Sequence, residues 1–116
     1  MADEATPKPD PNHRLARRRA ITRKIGIEYR KGAMGLGPNL AVGLLDVSED
    51  GLGVRIKVAV EPGDEAEVVL TSPGTRKAYK LLCEVRWCRD AGDGTFLAGM
   101  RLRRRLAYAE LSDLAR

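Results

Sequence analysis

From residue 25 onward, apolar and polar residues alternate along most of the chain, and the alternation is broken at short intervals by glycine and proline. Ile25, Ile27 and Tyr29 alternate with Lys24, Glu28 and Arg30, the period-two pattern of a half-buried strand. A glycine-rich stretch, KGAMGLGPN, separates this strand from a second over residues 40–49. Asp50-Gly51 is a two-residue hairpin signal. Beyond it Leu52, Val54, Ile56 and Val58 share one face, with Gly53, Arg55 and Lys57 on the other. VEPGDE turns the chain into a fourth strand carrying Ala66, Val68 and Leu70, and TSPGT ends that strand. The fifth strand is long: Tyr79, Leu81, Cys83, Val85 and Trp87 are expected inside, with Lys80, Glu84 and Arg86 outside. DAGDG leads to a sixth strand through Phe96, Ala98, Met100 and Leu102. Ala107, Leu111 and Leu114 then recur at helical spacing, predicting an amphipathic helix over about 104–115, with Leu106 as a spare apolar residue for a contact surface. Six short antiparallel strands joined by tight turns predict an all-β chain closed into a small barrel, because closure removes exposed strand edges.

A length of 116 residues suits one such domain. Residues 1–12 carry three prolines and little to bury, so they read as a disordered leader; residues 13–116 form the domain, with 13–24 as a flexible basic arm. The leader has no apolar stretch behind a basic start, and no segment approaches the length of apolar residues needed to span a bilayer, so neither secretion nor membrane insertion is expected. Cys83 and Cys88 are spaced to face opposite sides of one strand, which disfavours a bridge and suits a reduced, cytoplasmic protein.

The net charge of +5 is concentrated. Arg14, Arg17, Arg18, Arg19, Arg23, Lys24, Arg30 and Lys31 face only Glu28 over residues 13–31, while positive and negative side chains balance beyond residue 31. A basic arm on a neutral body is either a solvated tail or a partner for an anion: a nucleic acid, an anionic membrane or a small phosphorylated ligand.

Catalysis is poorly supported. The single histidine, His13, lies in the arm, Ser48 has no histidine partner in the folded region, and no side-chain cluster has metal-ligand spacing. Cys83 falls on an apolar face and reads as an inert core thiol. No metal, cofactor or enzymatic activity is expected. Barrels that bind single-stranded nucleic acid use basic grooves and exposed aromatics; here Tyr29, Tyr79, Trp87 and Phe96 are expected inside, and the body is neutral.

Two motifs remain. Arg19 and Arg23 are spaced as RxxxR, and Arg14 and Arg18 offer a second register; Asp46, Ser48 and Gly51 are spaced as DxSxxG at the end of the second strand, where Asp46 and Ser48 are expected to share a face. In this order the pair resembles the PilZ domain, the bacterial receptor module for cyclic di-GMP, over roughly residues 14–116. The resemblance implies a six-stranded antiparallel barrel with a C-terminal helix, acting as a stand-alone module that binds cyclic di-GMP and passes the signal to a protein partner. It implies that Arg19 and Arg23 clasp phosphate or guanine, with Arg18 as a further contact. Arginine's planar fork suits both groups. Asp46 would accept from the guanine N–H edge, Ser48 would add a hydroxyl, and Gly51 would turn the backbone through positive φ. A PilZ-like adaptor that binds no nucleotide is the alternative, with a small nucleic-acid-binding barrel behind it.

Overall fold

The computed structural model describes residues 24–115 and the backbone of residues 19–20. The leader, Arg14, Arg18 and Arg23 lie outside the described residues. Among the described residues, seven strands and one helix follow in order: β1 (Arg19–Ala20), β2 (Gly26–Lys31), β3 (Ala41–Val47), β4 (Gly51–Ile56), β5 (Glu65–Thr71), β6 (Ala78–Asp90), β7 (Phe96–Leu102) and α1 (Tyr108–Leu114). The six predicted strands are β2 to β7, and β1 is a short addition from the arm. All pairings are antiparallel, in the order β1-β3-β4-β7-β6-β5-β2.

The sheet curls until β2 and β3 meet, giving a nearly closed barrel. The Leu40 N–H donates to the Tyr29 carbonyl at 2.8 Å. The Asn39 side-chain oxygen accepts from the Tyr29 N–H at 2.9 Å and from the Ala41 N–H at 3.0 Å. One carboxamide thus supplies part of the ladder that a continuous pairing would have made, leaving fewer backbone groups unpaired at the seam.

Alternation puts Tyr29, Leu52, Val54, Ile56, Val68, Leu70, Leu81, Val85 and Met100 in one buried core. The Cys83 thiol is also in this core, and burial pushes its pKa up to about 12, as befits a structural cysteine. Leu111 and Leu114 of α1 join the same cluster. Leu106 does too, at 4% exposure, so it is a core residue and not a spare contact. The helix begins at Tyr108, later than the expected 104, because the preceding segment has other partners. There the Arg103 N–H donates to Leu82 O at 2.9 Å and the Leu106 N–H to Glu49 O at 2.7 Å. These bonds hold the segment extended across the barrel end before the helix can start.

Asp113 anchors the far end of α1. Its carboxylate accepts from Tyr79 OH at 2.7 Å, Thr75 Oγ1 at 2.8 Å and Ser72 Oγ at 2.9 Å. The hydrogen bond to Asp113, helped by burial, pushes the Tyr79 hydroxyl up to about 12.

The alternation fails in two strands, β3 and β6; β3 shifts register against β4 between Ala41 and Gly43 and between Leu44 and Asp46, which leaves Val42 and Leu45 exposed. β6 shifts register against β7 between Val85, opposite Met100, and Trp87, opposite Gly99. One residue, Arg86, is extra, and everything after it changes face. Trp87, expected inside, is 44% exposed. Cys88, expected outside, stands opposite buried Ala98 and packs against the core. Both cysteines are free thiols on the inner side.

Candidate functional site

The DxSxxG segment forms the end of β3 and the turn into β4. The Ser48 N–H donates to Gly51 O at 2.9 Å, which makes Glu49 and Asp50 the two central residues of the hairpin. The turn is therefore one residue earlier than the Asp50-Gly51 signal suggested. Gly51 is absent from the positive-φ glycines and opens β4. Its glycine is not needed here for a left-handed turn.

Asp46 and Ser48 do not stand side by side. β3 ends at Val47, so strand alternation no longer governs Ser48. Its side chain is 1% exposed, and its hydroxyl donates to Asp50 Oδ1 at 3.1 Å, within reach of Gly51 O at 3.4 Å. Ser48 therefore shapes the turn from inside. Asp46 is half-buried on the outer face, with its carboxylate lying against Gly53 of β4. The middle carbonyls of the turn are also occupied: Asp50 O accepts from the Leu102 N–H at 2.9 Å, and Glu49 O accepts from Leu106. Glu49 and Arg105 form an ion pair that reinforces the second contact.

The arm meets this segment directly. β1 pairs with β3, placing Arg19 opposite Val47 and Ala20 opposite Asp46. The first arginine of RxxxR is thus brought backbone to backbone alongside the first two residues of the DxSxxG segment. Arg23, Arg18 and Arg14 lie outside the described residues.

Sequence reasoning missed two glycines and a tryptophan. Across the sheet, Asp46 stands opposite Gly53, Gly53 opposite Gly99, and Gly99 opposite Trp87. Opposed residues share a face, so these four form one row on the outside of the barrel. A Cβ on Gly53 would come within 2.7 Å of Asp46 Oδ1, and a Cβ on Gly99 would collide with the indole Nε1 and Cε2 of Trp87. The glycines are a floor on which the carboxylate and the indole rest. Gly53 interrupts an apolar run, which is a usable signal for a close approach in a strand. Trp87 gave none, since only the bulge reveals its face.

A surface concavity among the described residues lies elsewhere. It has a volume of about 610 Å³ and is lined by Tyr29, Lys31, Val60, Asp64, Glu84 and Arg103 among others, with none of the motif residues. It is a shallow, mixed-charge surface, and the motif geometry is the better guide to function.

Comparison with known proteins agrees with the fold. The family model described as "PilZ domain" matches residues 12–116, nearly the whole chain. The chain belongs to the PilZ domain family. Among solved structures, it is similar to the Bacillus subtilis inhibitor of motility MotI/DgrA, with a TM-score of 0.59 and 10% sequence identity. That similarity covers 84% of this chain and 47% of MotI, so the chain spans about half the length of that protein. At this identity the likeness is one of fold. No curated protein matches the chain. The PilZ family is one of cyclic di-GMP receptors and protein-interaction modules. Among the described residues, no helix is long and apolar enough to cross a membrane.

Proposed function

We propose that this PilZ domain is a cytoplasmic receptor for cyclic di-GMP that acts by binding, without catalysis or a cofactor, and signals to a protein partner. The observation that supports this most is the pairing of β1 with β3, which brings the backbone of Arg19 and Ala20 alongside Val47 and Asp46. Arg19 and Arg23, with Arg18 behind them, would clasp the phosphates and a guanine face or edge. Asp46 would accept from guanine N1–H and N2–H. Ser48 would contribute through the turn it braces, and Gly51 through its backbone. Arg19 is followed at once by a residue already paired with β3, so the arm needs little further ordering there. Ordering the rest of the arm on the ligand costs entropy, and like-charge repulsion among its arginines is offset by the two ligand phosphates.

The test is thermal unfolding with cyclic di-GMP. At roughly 100 times its dissociation constant the ligand should stabilise the fold by about 2.7 kcal/mol. For a domain this size that is a rise of roughly 10 °C or more in Tm. Arg19→Ala and Arg23→Ala should each abolish most of it. An unchanged Tm at saturating ligand and moderate salt would refute the receptor reading. It would favour a nucleotide-independent adaptor, for which the β2–β3 loop offers Met34 and Leu36, exposed at 76% and 82%.

A further inference from the structure

The concavity away from the motifs holds a buried hydroxyl that the fold leaves unspent. Tyr29 is wholly buried, at 0% exposure, yet its hydroxyl has no hydrogen-bond partner among the described residues. Buried polar side-chain atoms are nearly always paired, so an orphan asks what pairs it. Tyr29 lines the cavity of about 610 Å³, a volume within the range of small-ligand sites. Its hydroxyl is held protonated chiefly by burial, and then by the proximity of Cys83 and of Asp64, which stands on the rim of the same cavity.

Backbone bonds fix the walls. The Gly63 N–H donates to Val85 O and the Val85 N–H to Asp64 O, both at 2.8 Å, so the turn before β5 is stitched to β6. The Gly32 N–H donates to Glu65 O at 2.8 Å, tying the end of β2 to the start of β5. Gly32 and Gly63 send no side chain into the space, and nothing lies within 4 Å of where a Cβ on either would stand. Val60, also buried, supplies an apolar wall.

The charges of the lining do not cancel. Lys31 and Arg103 face Asp64, Glu65 and Glu84. Arg103 and Glu65 form an ion pair with each other. Asp64 accepts from the Glu61 N–H at 3.0 Å through one oxygen, Oδ2. Glu84 is half-buried, and its carboxylate forms no ion pair or hydrogen bond among the described residues. On a chain with a net charge of +5, this is a locally acidic recess with a phenol inside it.

We propose that this cavity binds a guanidinium group, with Glu84 and Asp64 accepting from its N–H fork and the Tyr29 hydroxyl accepting a further N–H. Among the described residues no group of His, Cys, Asp and Glu is gathered closely enough to hold a metal ion, so the cation must reach acceptors that stand apart. A guanidinium spreads five N–H donors over a plane, whereas an ammonium is a compact point charge. Guanidinium is also the more weakly hydrated of the two, which lowers the cost of bringing it beside Val60 and the Tyr29 ring. Once the phenol oxygen has accepted, its own hydrogen is free to turn toward a rim carboxylate. The group can arrive on a free guanidino compound or on an arginine side chain of a protein partner.

The test is an amide NMR titration of the full chain with butylguanidinium, against butylammonium and neutral butylurea. Butylguanidinium should shift the amides of Gly32, Gly63, Asp64 and Val85 along one saturable curve, with a Kd of about 1 mM, and the two controls should bind at least about threefold more weakly. Glu84→Gln and Tyr29→Phe keep the shape of their side chains, and each should weaken binding about threefold or more. Circular dichroism confirms that both variants are folded before they are compared. A capped Gly-Arg-Gly peptide that binds more tightly than butylguanidinium assigns the site to a partner's arginine; one that binds more weakly assigns it to a free guanidino compound. Absence of saturable shifts up to about 10 mM overturns the proposal, leaving the orphan hydroxyl to water alone. Binding that is equal for butylammonium, or unchanged in both variants, overturns it as well.

Discussion

A methyl group at residue 53 would stand 2.7 Å from Asp46 Oδ1 and 3.0 Å from its Cγ. Relief is possible because Asp46 is only half-buried and its χ1 can rotate, but rotation swings the carboxylate away from the row it shares with Trp87. Gly53→Ala should therefore separate binding from folding. We expect cyclic di-GMP affinity to fall about tenfold or more, with a stability change of roughly 1 kcal/mol or less, since the alanine also lowers the entropy of the unfolded chain. Calorimetry and urea denaturation of the same preparation measure the two; equal losses in both would show that residue 53 matters only to the sheet. Asp46 was legible in the sequence because it interrupts an apolar strand. The part played by Ser48 was not, because its hydroxyl turns inward only once β3 has ended at Val47.

At the scale of elements, α1 has only 7 residues, too short to be stable alone, so it persists through what it touches. Leu111 and Leu114 supply burial, and Asp113 fixes register by gathering three hydroxyls, two from the β5–β6 turn and one from β6. Replacing Asp113 by alanine strands those donors in a largely closed space. The expected loss is about 3 kcal/mol, in the range for a charged acceptor removed from a buried network. Chemical denaturation measures it, and a change under about 1 kcal/mol would mean that water replaces the carboxylate. The strands themselves were readable from period-two alternation, and all six appear as β2 to β7. The exceptions are the bulges in β3 and β6: in β6 one added residue at Arg86 reverses the face of Trp87 and Cys88 together, and nothing in the residue types there distinguishes a bulged strand from a regular one. The same limit applies to the β3–β4 turn, where Asp50-Gly51 chemistry suggested a register one residue later than the observed bonds.

For the whole molecule, the core's titratable groups set a boundary in alkali. Cys83 is raised from 9.0 to about 12 by burial, and Tyr79 from 10.0 to about 12 by its bond to Asp113 and by burial. Burial raises Tyr29 as well, and its hydroxyl has no hydrogen-bond partner among the described residues. A raised folded pKa means that the folded state keeps its proton where the unfolded chain would release it. The resulting stability is fully present below the unfolded values and is lost as pH rises through the window up to the folded ones. Urea midpoints should thus hold level to about pH 9 and decline from there toward pH 12. A midpoint unchanged between pH 8 and pH 11 would show that these groups are not held neutral by the fold. The barrel's closure was anticipated from the pattern of strands; the seam where β2 meets β3 through Asn39 was not, because a single carboxamide replacing ladder bonds leaves no periodic trace.

The turn from Ser48 to Gly51 has a mechanical consequence. Its two middle carbonyls are the anchor points of residues 102 and 106, and the chain between them leads into α1, whose far end is moored to the β5–β6 turn by Asp113. The segment is thus a strap drawn across one mouth of the barrel and fastened at both ends. Displacing the turn by even an ångström must either slacken that strap or pull on its distal mooring, so the motif end of the domain and the opposite rim cannot be adjusted independently.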